Sequence, residues 1–588
     1  MTERVLNGKK FCAAMITVAV FIVSVPLLSD SLIFGHDVIF HIQRIEGLKD
    51  GLLSGQFPVK LYGHFFKDYG YPVGYFYPDL FLYIPAIFRL LDFSMLFSYH
   101  VFLFIITVGT AFIAWYAFTK LFEHLLEGSN ETAHVYGAVA AICYTGSLYR
   151  LIDLYVRSAV GESVAMCFFP LALISLFLLL KGKKASWIGL TIGVTGVLES
   201  HILSALMLFF AMLFMCLFFY KRVLDKDVLK QLFKAVLFII LLNLWFYAPF
   251  IGMYEIYDFH IKFDLKAASL IYVFSWDKLW DYKFFIGILP FIAIALVCFS
   301  LKKLKEHRRI FSAFLSCGIL LMGILILISP LMDWQKVSII PIIGEKLGVL
   351  QFSMRLMVFG SLLISVILAI IFVKIRLIFI SFVFVLESMF YLTMSDVTYE
   401  NFMLALRYED KIALVNALPN LKDTEVEHIP MSSLHMATNY SFFPYIDYFY
   451  GDTPISNFQK FNDDTKLNFW ESVINEDLSL LDPNEIKPSY VVVDFSRIST
   501  KLALKTKTEA ETAIMLPLWY FPKCYGATID NKSAEVFEMA EHRLGIKVPE
   551  GEHEIKIFAK QRTPYRNACI ISLIGLALFV FAIKRETV

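Results

Sequence analysis

The chain has 588 residues, of which 58% are hydrophobic and 18% charged, and its 53 basic residues nearly balance its 52 acidic ones. Soluble globular chains are about 45–50% apolar and about 25% charged, so this composition excludes an ordinary soluble protein and indicates a membrane protein. The balanced charge also lacks the basic footprint that nucleic-acid binding requires.

Apolar runs recur along the chain at close to the ~20 residues that a membrane-spanning helix needs. From these runs we predict a polytopic α-helical membrane protein with about 12 transmembrane helices. The predicted spans are residues 12–29, 96–120, 134–149, 162–181, 186–200, 203–220, 232–253, 284–301, 310–329, 354–373, 377–394 and 567–584.

Basic residues predict the orientation of these spans. They cluster at 9–10, 181–184, 221–226, 302–309, 374–376 and 584–585. With twelve spans, every cluster falls on one side, which the positive-inside rule assigns to the cytoplasm. We therefore expect a multi-pass protein of the cell membrane with both termini cytoplasmic and the first loop, residues 30–95, on the outer face.

The polar stretch 395–566 is too long for a linker, and its second half alternates like β-strands at 490–495 and 534–537. Residues 546–548 and 554–557, joined by the turn 549–551, predict a β-hairpin. The predicted organisation is a transmembrane domain over residues 1–394, an extracytoplasmic β-rich domain over 395–566, and a C-terminal transmembrane helix with a short cytoplasmic tail over 567–588.

The first loop contains the most unusual polar pattern. Asp37, His41 and Arg44 are spaced i, i+4 and i+7, which places them on one face of a helix. One interpretation is a helix at the membrane surface whose polar face contacts water. The other is a reactive carboxylate held by a histidine and an arginine, where Asp37 accepts a proton from an attacking hydroxyl or holds a divalent cation beside a phosphate.

Further charged residues follow at the same predicted face. Glu162 or Asp153 can act as a second carboxylate facing Asp37, and Glu162 is favoured because it lies at the mouth of a span. Two carboxylates would bind Mg²⁺ or Mn²⁺ through their oxygens, although ordinary surface ion pairs explain the same residues. Arg355 is either a snorkelling anchor or a phosphate clamp, and Arg157 and Lys60 are further candidate cations.

Several motifs carry a resemblance to a known family. The chain resembles YfhO-like bacterial membrane proteins, which are grouped with the GT-C-fold glycosyltransferases and sometimes labelled 6-pyruvoyl-tetrahydropterin synthase-related. The matching motifs are Gly35-His36-Asp37 with His41 and Arg44, residues 55–58, 70–71 and 76–86, Arg157 to Glu162, and Gln351 to Arg355, where Ser353-Met354 replaces the Pro-Trp of the family pattern.

The resemblance implies a GT-C architecture in which the first-loop carboxylate, matched by Asp37, lies near the acceptor and the sugar arrives on a polyprenyl phosphate lipid. We expect Asp37 and Glu162 to be catalytic, with both as candidate ligands of Mg²⁺ or Mn²⁺. The expected substrate-binding residues are His36, His41, Arg44, Lys60, Arg157 and Arg355.

The expected function is a membrane glycosyltransferase that moves a sugar from a polyprenyl-phosphate carrier to a cell-envelope glycan or glycolipid on the outer face. Such an enzyme needs fixed cations for the phosphate and a base for the acceptor hydroxyl. It needs no nucleotide-binding glycine loop, and the sequence contains none. The alternatives are a lipid-linked glycan flippase or transporter, and a non-catalytic envelope protein whose outer domain binds glycan.

Overall fold

A computed structural model describes residues 2–29, 37–63, 69–126, 130–256, 289–304, 308–329, 353–374, 380–394, 490–539 and 543–587, with isolated positions between them. Most of the helical residues belong to long apolar segments. The helices, in chain order, are α1 (Thr2–Val23), α2 (Val38–Leu53), α3 (Val73–Phe76), α4 (Tyr83–Leu90), α5 (Met95–Leu125), α6 (Asn130–Thr145), α7 (Leu148–Leu151), α8 (Val160–Leu180), α9 (Ser186–Leu198), α10 (Ile202–Phe218), α11 (Tyr220–Val223), α12 (Lys226–Tyr254), α13 (Leu289–Leu304), α14 (Arg308–Ile328), α15 (Met357–Lys374), α16 (Ile380–Met394) and α17 (Thr563–Thr587).

Six of the described helical segments are long and apolar enough to cross a membrane. They are Met95–Leu125, Val160–Leu180, Lys226–Tyr254, Arg308–Ile328, Ser353–Lys374 and Thr563–Glu586. The bent pair Glu131–Thr145 and Leu148–Val156, with an angle of 45°, would count as a seventh. Each predicted span overlaps a described helix, but the full count of twelve stays a prediction, because helices such as α9, with 13 residues, are shorter than a bilayer span requires.

Burial divides the spans into central and peripheral ones. In the most apolar 18-residue stretch of α8, 89% is buried inside the protein, whereas in that of α17 only 22% is buried. The outer face of α17 presents large apolar side chains such as Leu573 and Phe581 to the surroundings. Because a soluble protein seldom exposes so continuous an apolar surface, this face fits a hydrocarbon environment.

The described basic residues that follow the predicted spans gather at one end of the bundle, where Lys181, Arg222 and Arg309 act on one another. Arg222 donates to the Leu180 carbonyl over 3.2 Å, and Arg309 donates to the His124 carbonyl over 3.2 Å. Near the C-terminus, Glu586 accepts a hydrogen bond from the Trp187 indole over 2.7 Å and pairs with Lys234. This shared end agrees with the pattern that predicted the orientation, while the assignment of that end to the cytoplasm stays a prediction.

The first loop lies at the opposite end and is packed into the protein. Helix α2 follows Asp37, as the spacing predicted, but its polar residues are enclosed: Arg44 is 1% exposed and His41 2% exposed. The interpretation of α2 as a helix whose polar face contacts water is therefore wrong. The charged groups of α2 have protein partners because later parts of the loop, including α4, fold over them.

The described part of the β-rich domain is formed by two antiparallel sheets. One has the order β1-β2-β8-β4-β5 and the other the order β3-β7-β6. Inward side chains from both sheets, such as Leu504 and Ile546, are buried between them. The strands are β1 (Tyr490–Ile498), β2 (Lys501–Thr508), β3 (Thr512–Trp519), β4 (Tyr525–Ile529), β5 (Lys532–Ala534), β6 (Val536–Glu538), β7 (Arg543–Val548) and β8 (Gly551–Ala559).

The predicted hairpin at 546–557 is wrong. Both strands exist, but β7 pairs with β3 and β6, whereas β8 pairs with β2 and β4. The turn passes the chain from one sheet to the other, with Gly551 at φ +120° and the carbonyls of Pro549 and Gly551 bonded to the Thr508 hydroxyl. The predicted strand 534–537 is divided between the sheets in the same way. Residues 395–489 of this predicted domain lie outside the described residues.

The β-rich domain is docked on the first loop. The Trp519 amide donates to the Tyr69 carbonyl over 2.8 Å, and the Arg543 guanidinium lies 4.1 Å from the centre of the Tyr69 ring. A Cβ at Gly63 would lie 2.6 Å from the backbone of Ser499, so the two parts approach too closely there for any larger residue. The loop and the domain thus share one end of the helical bundle.

Candidate functional site

A group of polar and charged side chains meets at the N-terminal end of α8. We call Tyr149, Asp153, Arg157, Glu162 and Arg355 the Glu162 cluster. Glu162 is 2% exposed, and its Oε1 accepts a hydrogen bond from the Tyr149 hydroxyl over 2.5 Å. Its Oε2 lies 3.2 Å from Arg157 and 3.3 Å from Arg355, and Arg157 also pairs with Asp153. One carboxylate thus holds two guanidinium groups side by side.

Local backbone geometry brings these residues together. Helix α7 continues into a π-helical turn over Ile152–Val156, and the chain then turns through Ser158 at φ 50° before α8 starts. Asp153 and Arg157 lie on this turn, and Glu162 occupies the first turn of α8. Arg355 arrives from the 3-10 turn Ser353–Leu356 that leads into α15. A π turn widens the spacing of side chains and often marks a functional position.

Asp37 lies beside this cluster. Its backbone amide donates to the Arg157 carbonyl over 2.9 Å. Asp37 occupies the N-cap position of α2, yet its carboxylate makes no capping hydrogen bond within the described backbone, and its charge acts on Arg157 and Tyr77. A Cβ at Gly35 would lie 2.1 Å from the Ser158 hydroxyl, so this close approach requires glycine.

Arg44 is held within the first loop. It pairs with Asp79, donates to the Pro78 carbonyl over 2.7 Å, and lies 4.0 Å from the centre of the Tyr77 ring. Burial by itself would lower the pKa of Arg44, but the Asp79 carboxylate outweighs burial and raises it. This charge is balanced internally, so Arg44 fits a role in holding the loop better than direct binding of a substrate.

The two described histidines near the cluster are neutral at physiological pH. Burial, together with Arg44 and His201, holds the pKa of His41 well below its usual range. Burial and the adjacent Arg355 lower the pKa of His201 to about 3. His41 therefore cannot supply a positive charge to a phosphate. His36, the third predicted histidine, lies outside the described residues.

Lys60 lies in a different environment from the predicted phosphate site. Its Nζ donates to the Gly74 carbonyl over 2.9 Å and lies 5.2 Å from the centre of the Trp245 ring. Burial lowers the pKa of Lys60, and the acids that oppose this effect are Asp79 and Glu199 rather than members of the Glu162 cluster. The structure thus separates Lys60 from Arg157 and Arg355.

The contacts of Glu162 bear on the predicted metal site. Its two oxygens already accept hydrogen bonds from Tyr149 and Arg157 and form an ion pair with Arg355, and a cation between two guanidinium groups would be repelled. Within the described residues, no group of three or more His, Cys, Asp or Glu side chains could hold a metal ion. Glu162 therefore does not fit as a ligand of Mg²⁺ or Mn²⁺.

Sequence reasoning missed some residues of the site. No individual role follows from the sequence for Tyr149, Tyr77 or Asp79. Asp79 had a usable signal, since an acid inside an otherwise aromatic and apolar run needs a buried partner. Tyr149 carried no such signal, because only the fold shows that its hydroxyl faces Glu162.

No protein-family model matches the chain, and no curated protein matches it either.

Proposed function

We propose that this chain is a GT-C-type membrane glycosyltransferase that transfers a sugar from a polyprenyl-phosphate carrier to a cell-envelope acceptor on the outer face. The observation that carries the proposal is that Arg157 and Arg355 meet on Glu162 at one end of an apolar bundle, beside Asp37, whose backbone amide bonds to the Arg157 carbonyl and whose charge acts on Arg157. These residues are far apart in the sequence, so no local periodicity brings them together.

The proposed reaction gives separate roles to the Asp37 carboxylate and to the two guanidinium groups. The acceptor hydroxyl oxygen attacks the anomeric carbon, and Asp37 takes the hydroxyl proton. The new carbon–oxygen bond forms as the bond from the anomeric carbon to the phosphate oxygen breaks, and polyprenyl phosphate leaves with the bonding electrons. Arg157 and Arg355 stabilise the charge that develops on the phosphate, which is usually the largest catalytic effect in such a site.

Glu162 takes a positioning role in this proposal. A buried carboxylate that contacts both guanidinium groups fixes their separation and keeps them from repelling each other in a medium of low dielectric constant.

The central experiment is transfer by the full chain, reconstituted in proteoliposomes that contain a polyprenyl-phosphate sugar labelled in the sugar. A membrane preparation supplies the acceptors, and label in polymer or lipid is counted. Replacement of the base should lower transfer by about 10²-fold or more, so we expect Asp37→Asn to be nearly inactive. Asp50→Asn is the matched control, since Asp50 lies at the other end of α2 and pairs with Lys49.

The outcomes separate the competing functions. Full transfer by Asp37→Asn would remove Asp37 from the mechanism and overturn the proposal. Movement of label across the bilayer without covalent change would indicate the flippase or transporter instead. Arg355→Lys tests the phosphate contact: loss of the planar guanidinium should raise KM for the lipid donor about tenfold, whereas Arg309→Lys, at the opposite end of the bundle, should leave it unchanged.

A further inference from the structure

We infer that His201 is a further substrate-binding residue, which donates a hydrogen bond from Nε2–H to an oxygen of a lipid-linked phosphate held at the Glu162 cluster. This inference rests on the proposed function and deepens it, because it names a phosphate ligand and a neutral donor for the same site. His201 has no role in the mechanism derived above.

The place of His201 in the fold fixes which ring nitrogen carries the proton. His201 is the N-cap residue of α10, and its Nδ1 accepts from the Ser204 amide over 3.4 Å while lying 2.9 Å from the Ser204 hydroxyl. An Nδ1 that accepts from a backbone amide is unprotonated, so the neutral ring carries its proton on Nε2. Since Nδ1 faces α10, Nε2 on the other side of the ring faces away from that helix.

Charged side chains of the Glu162 cluster lie close to the His201 ring. Arg355, Arg157 and Arg44 all lie close enough to His201 to act on its ionisation, as does Glu162. The His201 ring centre lies 5.9 Å from that of Tyr77, whose hydroxyl would be 2.5 Å from a Cβ at Gly161. The ring is therefore beside the start of α8, and it is half-buried rather than enclosed.

These surroundings select an anion of the phosphate type as the ligand. Guanidinium groups bind phosphate oxygens through planar pairs of N–H donors. The N-terminal end of α10, a helix of 17 residues, adds a partial positive charge at the same place. A neutral Nε2–H supplies one further directed hydrogen bond without the repulsion that a fourth cation would meet from the three arginines.

The test measures binding and needs no sugar transfer. The full chain in lipid nanodiscs is titrated with farnesyl phosphate, and farnesol is the probe without phosphate. His201→Asn is the decisive variant because asparagine still caps a helix, while its shorter side chain does not reach the cluster. Loss of one hydrogen bond to a charged group should weaken farnesyl phosphate binding about tenfold or more, and farnesol binding should be unchanged. His553→Asn, in the β-rich domain, is the control.

A pH series separates a neutral donor from an imidazolium. With a neutral His201, its contribution to affinity, measured as the ratio of wild type to His201→Asn, should stay constant from pH 5 to pH 8. Unchanged binding by His201→Asn would overturn the inference, and a ratio that grows below pH 6.5 would show a charged histidine and overturn it as well. Transfer by His201→Asn does not enter this test. Tenfold weaker binding of farnesyl phosphate by His201→Asn, together with full transfer by Asp37→Asn, would contradict the role of Asp37 as the base and still support this phosphate site.

Discussion

Arg355 and Glu162 form an ion pair between the 3-10 turn that precedes α15 and the first turn of α8, with 3.3 Å between Nε and Oε2. Arg157 approaches the same oxygen at 3.2 Å. The pair joins two segments that are distant in the chain, and it fixes the position of the guanidinium groups to which we assign phosphate binding.

Removal of the Glu162 charge should destabilise the protein as well as the site. Glu162→Gln removes the charge that Arg157 and Arg355 share and leaves Arg157 paired with Asp153, and loss of one partner from a buried ion pair costs on the order of 3 kcal/mol. Thermal melting in nanodiscs should show a clear decrease in Tm. The control is Glu123→Gln, whose exposed pair with Lys120 should contribute little. A Tm equal to that of the control would contradict the positioning role.

The Tyr149 hydroxyl should act on the lipid donor through Glu162. Tyr149→Phe removes one hydrogen bond to the carboxylate and lets Glu162 rotate away from the arginines. We expect KM for the lipid donor to increase several-fold with kcat nearly unchanged. Tyr144→Phe is the matched control because Tyr144 is also buried and donates to the Met166 carbonyl over 2.8 Å, away from the cluster. Equal KM values in the two variants would show that Tyr149 is only structural.

Glu199 should make stability fall as pH rises. It lies in the turn between α9 and α10, outside the six spanning helices, and burial raises its pKa to about 8, although Lys60 and the Trp245 indole oppose the shift. In the unfolded chain the Glu199 carboxyl has its ordinary pKa of about 4.3. Between these values the folded state binds more protons than the unfolded state, so stability is lost as pH increases toward 8.

The interval from pH 6.5 to pH 8 isolates this effect. Asp79 and Cys569 also act on the same group of side chains, and the lowered pKa values of His41 and His201 make stability rise with pH around their unfolded pKa of about 6.5, an effect that wild type and Glu199→Gln share. Melting curves should shift to lower temperature across this interval in wild type and much less in Glu199→Gln. Parallel curves for the two proteins would refute the assignment.

Gly161 should tolerate no side chain. A Cβ there would lie 2.5 Å from the Tyr77 hydroxyl and 3.0 Å from the Ser200 carbonyl, so Gly161→Ala must push the first loop or the α9–α10 turn away from α8. We expect lower Tm and weaker transfer. Gly109→Ala is the control, since a Cβ at Gly109 meets nothing within 4 Å and alanine favours a helix by about 1 kcal/mol. A Gly161→Ala variant as stable as this control would contradict the close packing.

The β-rich domain illustrates where local pattern stops being sufficient. Alternation located the strands near 490 and 546–557, because a strand with one buried face must repeat every two residues. The alternation could not predict which strands pair, since a short turn can join two paired strands of a hairpin or two strands that belong to different sheets. The buried residues of both sheets decided that choice, and they include Leu504 and Ile546 from different strands.

The candidate site divides in a similar way. Helical spacing placed His41 and Arg44 together, and their side chains do lie 3.4 Å apart. The same spacing gave no information about what covers α2, so the sequence did not reveal that Arg44 is neutralised by Asp79 or that Lys60 donates to the Gly74 carbonyl.

Composition and the length of the apolar runs alone indicated a largely helical membrane protein with a polar C-terminal domain. They suffice for this because side chains that face hydrocarbon must be apolar, whereas those that face water are mostly polar. Only the tertiary structure decided which charges meet. A basic side chain and its acidic partner are brought together by the packing of helices that are far apart in the chain. Such a long separation in sequence produces no periodic pattern from which the pair could be predicted. Arg355 beside Glu162, and His201 beside both, are therefore results of the fold.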